Sequence, residues 1–260
     1  MDTILTVFSL ILGAVVGSFL NVVILRLPKE DASIVFPGSH CPQCNHSLSW
    51  WENIPLLSYL LLRGQCRNCK ERISWQYPLI EAAMAVFSAL LFQRFGVSVD
   101  FCVMFVFFAA LLVIIFIDIH HQIIPDLISL PGIAVGFAAS FFTSDVTGQQ
   151  SGLGVLLGGG LLYLVAFAYY TLTKKDGMGG GDIKLLAMIG AFLGWQSLLY
   201  VVFASSLLGS IIGIVAMIMK GQGGKTRVPF GPFLAFGAIT WVLFQQQILI
   251  LWHLYLGLAR

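Results

Sequence analysis

Charge is what this chain has least of. Its 260 residues carry 14 Lys+Arg and 12 Asp+Glu, or 10% of the total, where a soluble domain carries about 25%. Apolar types make up 58%, and the mean hydropathy is +0.91. A soluble globule of this size has too little interior to hide so much apolar surface. The same figures exclude disorder, which needs high charge and low hydrophobicity. There is no basic excess for nucleic acid, no collagen repeat, and five cysteines in 260 residues are too few for a secreted disulfide scaffold. A net charge of +2 gives no global steering. The solvent that fits most of this chain is the lipid bilayer.

A spanning helix needs ~20 mostly apolar residues, at about 1.5 Å each across about 30 Å of hydrocarbon. Ile4–Leu25 is the first such stretch and holds no charge. It does not read as a signal peptide, because Asp2 precedes it and Arg26 follows it. A polar interval, Arg26–Tyr77, comes next. Apolar stretches then run over Pro78–Phe95, Val99–Ile117, Ile123–Phe142 and Gly152–Leu172. Ile183–Met219 is too long for one span and divides at Gly194-Trp195-Gln196, and Gly231–Leu256 is the last. Eight segments result. On the first, Gly13, Gly17 and Asn21 recur every four residues and share one face, of the kind that lets helix backbones approach closely.

Orientation follows from counting. With the N-terminus outside and eight crossings, the inner loops hold Arg26, Lys29, Arg63, Arg67, Lys70 and Arg72, then Lys174, Lys175 and Lys184, then Lys220, Lys225 and Arg227. Only Arg94 and Arg260 of the 14 basic residues fall outside. The positive-inside rule favours this arrangement over its inverse, so the polar loops described next face the cytoplasm.

The first inner loop contains Cys41-Pro42-Gln43-Cys44 and Cys66-Arg67-Asn68-Cys69, with 21 residues between the pairs. That gap lies just beyond the usual zinc-ribbon range of about 15–20. Two residues between cysteines let both thiolates reach one tetrahedral ion, and four sulfurs close its shell, so the zinc is expected to be structural. Disulfides and a redox CxxC pair are the other readings, but a reducing compartment makes structural disulfides rare. His40 and His46 flank the first pair and read as solvated loop residues. Cys102 stands alone in an apolar segment and reads as a small apolar side chain.

Acids near apolar spans are costly to keep. Asp118 ends the apolar run Phe101–Ile117, at a helix C-terminus where the macrodipole disfavours negative charge. Asp126 follows Pro125 and precedes Leu127-Ile128-Ser129-Leu130, which reads as a helix N-cap. Asp182 ends Gly177-Met178-Gly179-Gly180-Gly181. It can also cap a helix, but the glycines beside it permit close approach of an extended peptide. A phosphate site is disfavoured, since no strand precedes the loop and neither the P-loop nor the dinucleotide spacing is met. Two aspartates brought together share a proton, because like charges at short range do not both ionise cheaply. Such a pair hydrolyses a peptide without a metal or a covalent intermediate. His120 and His121 read as interfacial polar residues. Lys184 either orients a substrate carboxylate or snorkels. Glu81, four residues into the second segment, either pairs with a base or holds a substrate amine.

These motifs resemble those of bacterial type IV prepilin peptidases, the bifunctional leader peptidases and N-methyltransferases, over nearly the whole chain. Gly17-Ser18-Phe19-Leu20-Asn21-Val22 and Arg26-Leu27-Pro28 resemble the family's opening signature. The two CxxC pairs with Trp51-Glu52-Asn53-Ile54-Pro55 resemble its N-terminal cytoplasmic domain, and Tyr77-Pro78-Leu79-Ile80-Glu81 its following stretch. Gly179-Gly180-Gly181-Asp182 matches the GxGD motif shared with presenilin-like proteases. The resemblance implies Asp118 and Asp182 as the catalytic pair, an active-site loop of Gly179, Gly180 and Gly181 with Lys184 beside it, and zinc on Cys41, Cys44, Cys66 and Cys69. It implies prepilin or pseudopilin substrates with a short basic leader and a glycine before the cut, in the bacterial inner membrane. It further implies methylation of the new N-terminus by S-adenosylmethionine, for which no residue is identified.

The expected fold is all-α and polytopic, with about eight transmembrane helices and a small zinc-bound cytoplasmic loop domain. Residues 1–25 form the first helix, 26–77 the four-cysteine domain, and 78–260 a membrane-embedded peptidase core. Two other functions stay open on the residues alone. A membrane thiol oxidoreductase needs the CxxC pairs to cycle. A proton- or cation-coupled transporter needs Asp118, Asp182 and Glu81 deep within the spans.

Overall fold

A computed structural model describes residues 2–29, 33–174, 179–220 and 228–255. Lys175, Gly177, Met178, Lys225, Arg227, Leu256 and Arg260, named above, lie outside the described residues. All eight apolar segments are helical. They are α1 (Asp2–Arg26), α3 (Gln76–Phe95), α4 (Val99–His121), α5 (Asp126–Ala139), α6 (Gly148–Thr173), α7 (Gly180–Leu193), α8 (Trp195–Lys220) and α9 (Gly231–Tyr255). A 3-10 turn, Trp50–Asn53, and the short α2 (Leu57–Leu61) lie in the polar interval. Among the described residues, strand pairing is confined to two isolated bridges, His40 with Ser47 and Gln65 with Arg72.

Six helices, α1, α3, α4, α6, α8 and α9, are long and apolar enough to cross a membrane. The eight expected spans are therefore six long helices and two short ones. With 14 residues each, α5 and α7 reach about 21 Å, less than the hydrocarbon thickness. The division at Gly194 holds: its φ is +75°, and α7 ends before it while α8 starts after it.

The chain forms two compact units, Met1–Ile117 and Asp118–Arg260, with the boundary inside α4. In the first, α1 packs along α3 through the glycine face seen in the sequence. A Cβ on Gly13 would stand 2.7 Å from Ala85 Cα, and one on Gly17 2.8 Å from Glu81 Cα. Asn21 closes that face, its Nδ2 donating to the Gly17 and Tyr77 carbonyls at 3.3 and 3.2 Å. Phe87 and Phe108 meet edge to face at 5.3 Å, which seats α4 on α3.

The second unit is built around α7. Leu185, Leu186, Met188, Ile189 and Ala191 are fully buried, as expected of a helix apolar on every side. It packs against α5, α6, α8 and α9. Glycines set how closely these helices approach. Gly154 of α6 and Gly190 of α7 lie backbone to backbone, so that a Cβ on either would collide with the other's carbonyl. One turn on, a Cβ on Gly158 would stand 2.6 Å from the Leu186 carbonyl oxygen. Ser151 Oγ donates to the Ala191 carbonyl at 2.7 Å, and Ser205 Oγ ties α8 to the Phe233 carbonyl of α9 at 3.0 Å.

Because no side chain fits there, Gly154→Leu and Gly190→Leu should each destabilise the protein by at least the ~1–3 kcal/mol of an overpacked core. Gly160→Leu, at a position with open space around it, should leave thermal unfolding in detergent unchanged. Equal unfolding midpoints for all three would contradict the close α6–α7 contact.

Candidate active site

Asp118 occupies the last turn of α4 and is 4% exposed. The chain turns immediately after it. Its carbonyl accepts from Gln122 N at 2.9 Å, Gln122 adopts φ +54°, and Ile123-Ile124-Pro125 runs extended into α5. The carboxylate meets the start of α9. There the Phe230 carbonyl accepts from Phe233 N and Leu234 N at 3.0 and 3.2 Å, so Gly231 is the first helical residue. Its N–H, an orphan donor at the positive end of the helix, donates to Asp118 Oδ2 at 3.0 Å. A Cβ on Gly231 would sit 2.6 Å from that oxygen, so a side chain there would push the carboxylate from its present place.

Asp182 is the third residue of α7, where the helix dipole favours a carboxylate. Gly179 is the N-cap, and Asp182 N donates to its carbonyl at 3.2 Å, so Asp182 is not the capping side chain. The Asp118 and Asp182 carboxylates are near enough for the charge of one to act on the other. Ile124 fits between the two glycine-bearing segments. A Cβ on Gly181 would stand 2.9 Å from Ile124 Cβ, and one on Gly231 3.2 Å from Ile124 Cδ1. Gly180 faces open space, and a Cβ on Gly179 would lie 3.8 Å from Asp182 Oδ2. The end of α4 and the starts of α7 and α9 thus converge, with Ile124 against the first turns of both α7 and α9.

Two expectations change here. Asp126 is not an N-cap. Pro125 holds that position without a side-chain bond, and the Asp126 carboxylate accepts Lys184 Nζ at 2.7 and 2.8 Å. Lys184 is therefore engaged with Asp126, tying the start of α5 to α7. Among the described residues Glu81 forms no salt bridge with a base; it is buried, and its Oε2 accepts Leu56 N at 2.8 Å. That bond fixes Leu56, whose φ is +62°, at the entrance to α2. Gly231, Ile124 and the Glu81–Leu56 bond were missed in the sequence. The available signal for the first was Phe230-Gly231-Pro232 opening an apolar helix, with proline contributing no donor of its own.

The four cysteines converge in the first unit. Their sulfurs lie within 4.8 Å of one another, with Cys41 to Cys69 at 3.8 Å and Cys44 to Cys66 at 3.9 Å. A tetrahedron with arms of about 2.3 Å has edges of about 3.8 Å, so the cluster fits a zinc ion. The close pairs run between the two CxxC motifs, as one shared ion requires and two separate dithiols do not. The motifs are near copies of each other. Cys41 N donates to the His46 carbonyl and Cys66 N to that of Glu71, at 2.9 and 2.8 Å, and Asn45 and Lys70 both take positive φ. The His46 backbone N–H, with Asn68, lowers the Cys44 thiol to about 6, and the Cys69 and Asn68 N–H groups lower Cys66. Burial and the neighbouring sulfurs push Cys69 up to about 12, so Cys44 and Cys66 are the two that favour the thiolate a metal takes up. His46 faces buried Glu52, Nε2 to Oε2 at 3.3 Å. The Ser49 N–H, with His46 adding to it, holds the Glu52 carboxyl below the usual carboxylate range.

Six helices long and apolar enough to cross a membrane, with a four-cysteine cluster in a polar loop, define a polytopic membrane protein. Residues 11–95 match the bacterial peptidase A24 N-terminal domain, and residues 105–214 match the type IV leader peptidase family. The chain is 38% identical over 92% of its length to the prepilin leader peptidase/N-methyltransferase of Pseudomonas putida, spanning 90% of that protein. It is 37% identical, over the same shares, to that of Pseudomonas aeruginosa, and 35% identical to that of Aeromonas salmonicida over 88% of this chain and 87% of the other. The chain belongs to the type IV leader peptidase family. No solved structure matches it.

If one ion holds the cluster, the purified Cys102→Ala protein should contain one zinc per chain by emission spectroscopy. Its remaining thiols should react with maleimide only after a strong chelator is added. Complete labelling without chelator would show four independent thiols instead.

Proposed function

We propose that this chain is a membrane aspartic endopeptidase that removes the short basic leader of prepilins and pseudopilins after a glycine, with Asp118 and Asp182 as its catalytic pair. It then N-methylates the newly exposed residue. Family membership supports both activities. The observation that carries the residue assignment is the meeting of the end of α4 with the starts of α7 and α9: Gly231 N donates to Asp118 Oδ2, and Ile124 lies against both Gly231 and Gly181, the residue before Asp182. Two carboxylates at close range hold one proton between them. The ionised member takes a proton from water as the oxygen attacks the scissile carbonyl, and the protonated member supports the developing oxyanion. Gly181 and Gly231 keep side chains away from the acids, leaving room for an extended peptide.

The distribution of basic residues supports an N-terminus outside and an active site facing the cytoplasm, in the bacterial inner membrane. Cys41, Cys44, Cys66 and Cys69 would hold zinc with a closed shell, which gives the metal the role of a staple for a loop with little apolar core of its own. S-adenosylmethionine supplies the methyl group when bound, and no residue is assigned to it. The Asp126–Lys184 bridge is partly exposed, a type worth about 0–1 kcal/mol, and its part is to brace the starts of α5 and α7.

Purified protein incubated with a prepilin and the methyl donor should release the leader and add the mass of one methyl group. Asp118→Asn and Asp182→Asn should each lower cleavage by at least the ~10²–10⁴-fold of lost acid–base catalysis, with the protein still inserted. Asp126→Asn should cost less than about tenfold, in line with a surface pair. Full activity in either of the first two variants removes the dyad, and an Asp126→Asn loss equal to theirs would mean the acids were wrongly chosen.

A further inference from the structure

Two equivalent carboxylates do not say which one activates water. Asp182 stands at the positive end of α7 and Asp118 meets that of α9, but among the described residues only the Asp118 carboxylate of the two accepts a backbone N–H. Asp118 sits at the C-terminal end of α4, where the partial negative charge of the helix opposes ionisation. Left there alone it would be the acid to hold the proton. What reverses this is the start of α9: Gly231 N–H donates to Asp118 Oδ2 at 3.0 Å. The donor is a first-turn amide at the positive end of a 25-residue helix. It is also singled out by its neighbours. Pro232 has no N–H, and Phe233 and Leu234 already donate to the Phe230 carbonyl. An acceptor held by a backbone N–H favours the ionised carboxylate, since a protonated oxygen would lose that bond or weaken it.

We infer that Gly231 is a positioning residue whose backbone N–H keeps Asp118 in the ionised, water-activating role and thereby leaves the shared proton on Asp182. The inference rests on the dyad reading above and adds its direction. In the first step the water oxygen forms a bond to the scissile carbon while its proton passes to Asp118. The carbonyl π pair moves to oxygen, which takes the proton of Asp182. The gem-diol then collapses: the C–N bond breaks, the nitrogen takes the proton from Asp118, and one hydroxyl returns its proton to Asp182 as the new carboxyl forms. Both acids end as they began. Gly231 changes no bond throughout. It fixes where Asp118 Oδ2 stands and which member of the pair starts without a proton. The side-chain constraint is equally specific, because a Cβ at this position would lie 2.6 Å from Oδ2 and 3.3 Å from Asp118 Cγ.

Replacing residue 231 with glycolic acid by nonsense suppression turns its amide into an ester, which removes the N–H and adds no bulk. Leader removal should fall about 10- to 100-fold in kcat, the loss expected for one hydrogen bond to a charged group, with KM within about twofold of wild type and the thermal midpoint retained. Gly231→Ala, which keeps the N–H but pushes on Oδ2, should lower kcat as well. An ester variant with wild-type kcat, or with a loss confined to KM, overturns the role given to Gly231. Asp118→Asn is run alongside. If it cleaves normally, the dyad itself fails; if it is inactive while the ester variant is unimpaired, only the inference about Gly231 fails.

Discussion

A carboxylate in the last turn of an apolar helix is in the wrong place by every local rule, and the hydrogen bond from Gly231 N to Asp118 is what makes it tenable. Helix α4 offers Asp118 only its own negative end. The compensating positive end comes from α9, 113 residues further along the chain. Much of the second unit can be read as the means of bringing that helix start to that side chain. The turn at Gln122 reverses the chain directly after Asp118, and Ile124 fills the corner against both Gly181 and Gly231. The first turn of α7 then brings Asp182 to the same place.

Close approach is the theme that links this corner to the rest of the bundle. In water, burial of apolar side chains drives helices together; in lipid it does not, and packing depends on how near backbones can come. The α6–α7 contact at Gly154 and Gly190 and the α1–α3 contact at Gly13 and Gly17 solve this in the same way. In the second unit, the helix packed most completely, α7, is also the one that presents Asp182. A rigid α7 holds its first turn in register, and the Asp126–Lys184 bridge braces that turn from α5. In the first unit, four cysteine sulfurs converge within a polar loop, and the bond from Leu56 N to Glu81 fastens that loop to α3.

The sequence revealed the helices and the cysteine cluster, because both are written in local patterns. Apolar runs and glycine breaks gave all eight segments, including the division at Gly194, and CxxC spacing gave the four cysteines that cluster. Length separated six long helices from α5, a shorter apolar helix, and from the equally short α7. Asp118 was singled out by its misfit with the helix dipole, and Asp182 by the glycines that precede it. Asp126 was misread for the complementary reason: its position before a helix satisfied the capping rule, and nothing local showed that Lys184, 58 residues away, would claim it. Gly231 and Glu81 were illegible in their roles, since each acts through a backbone group brought in by tertiary packing.

The most direct test of the paired acids is a distance measured by chemistry. In a zinc-loaded Cys102→Ala background, Asp118→Cys and Asp182→Cys are combined, a protease site is inserted between α5 and α6, and the membranes are treated with a mild oxidant. The expected result is a disulfide that holds the two cleaved halves together until reductant is added. Halves that separate without reductant, in protein that is folded and metal-bound, would contradict the pairing of Asp118 with Asp182.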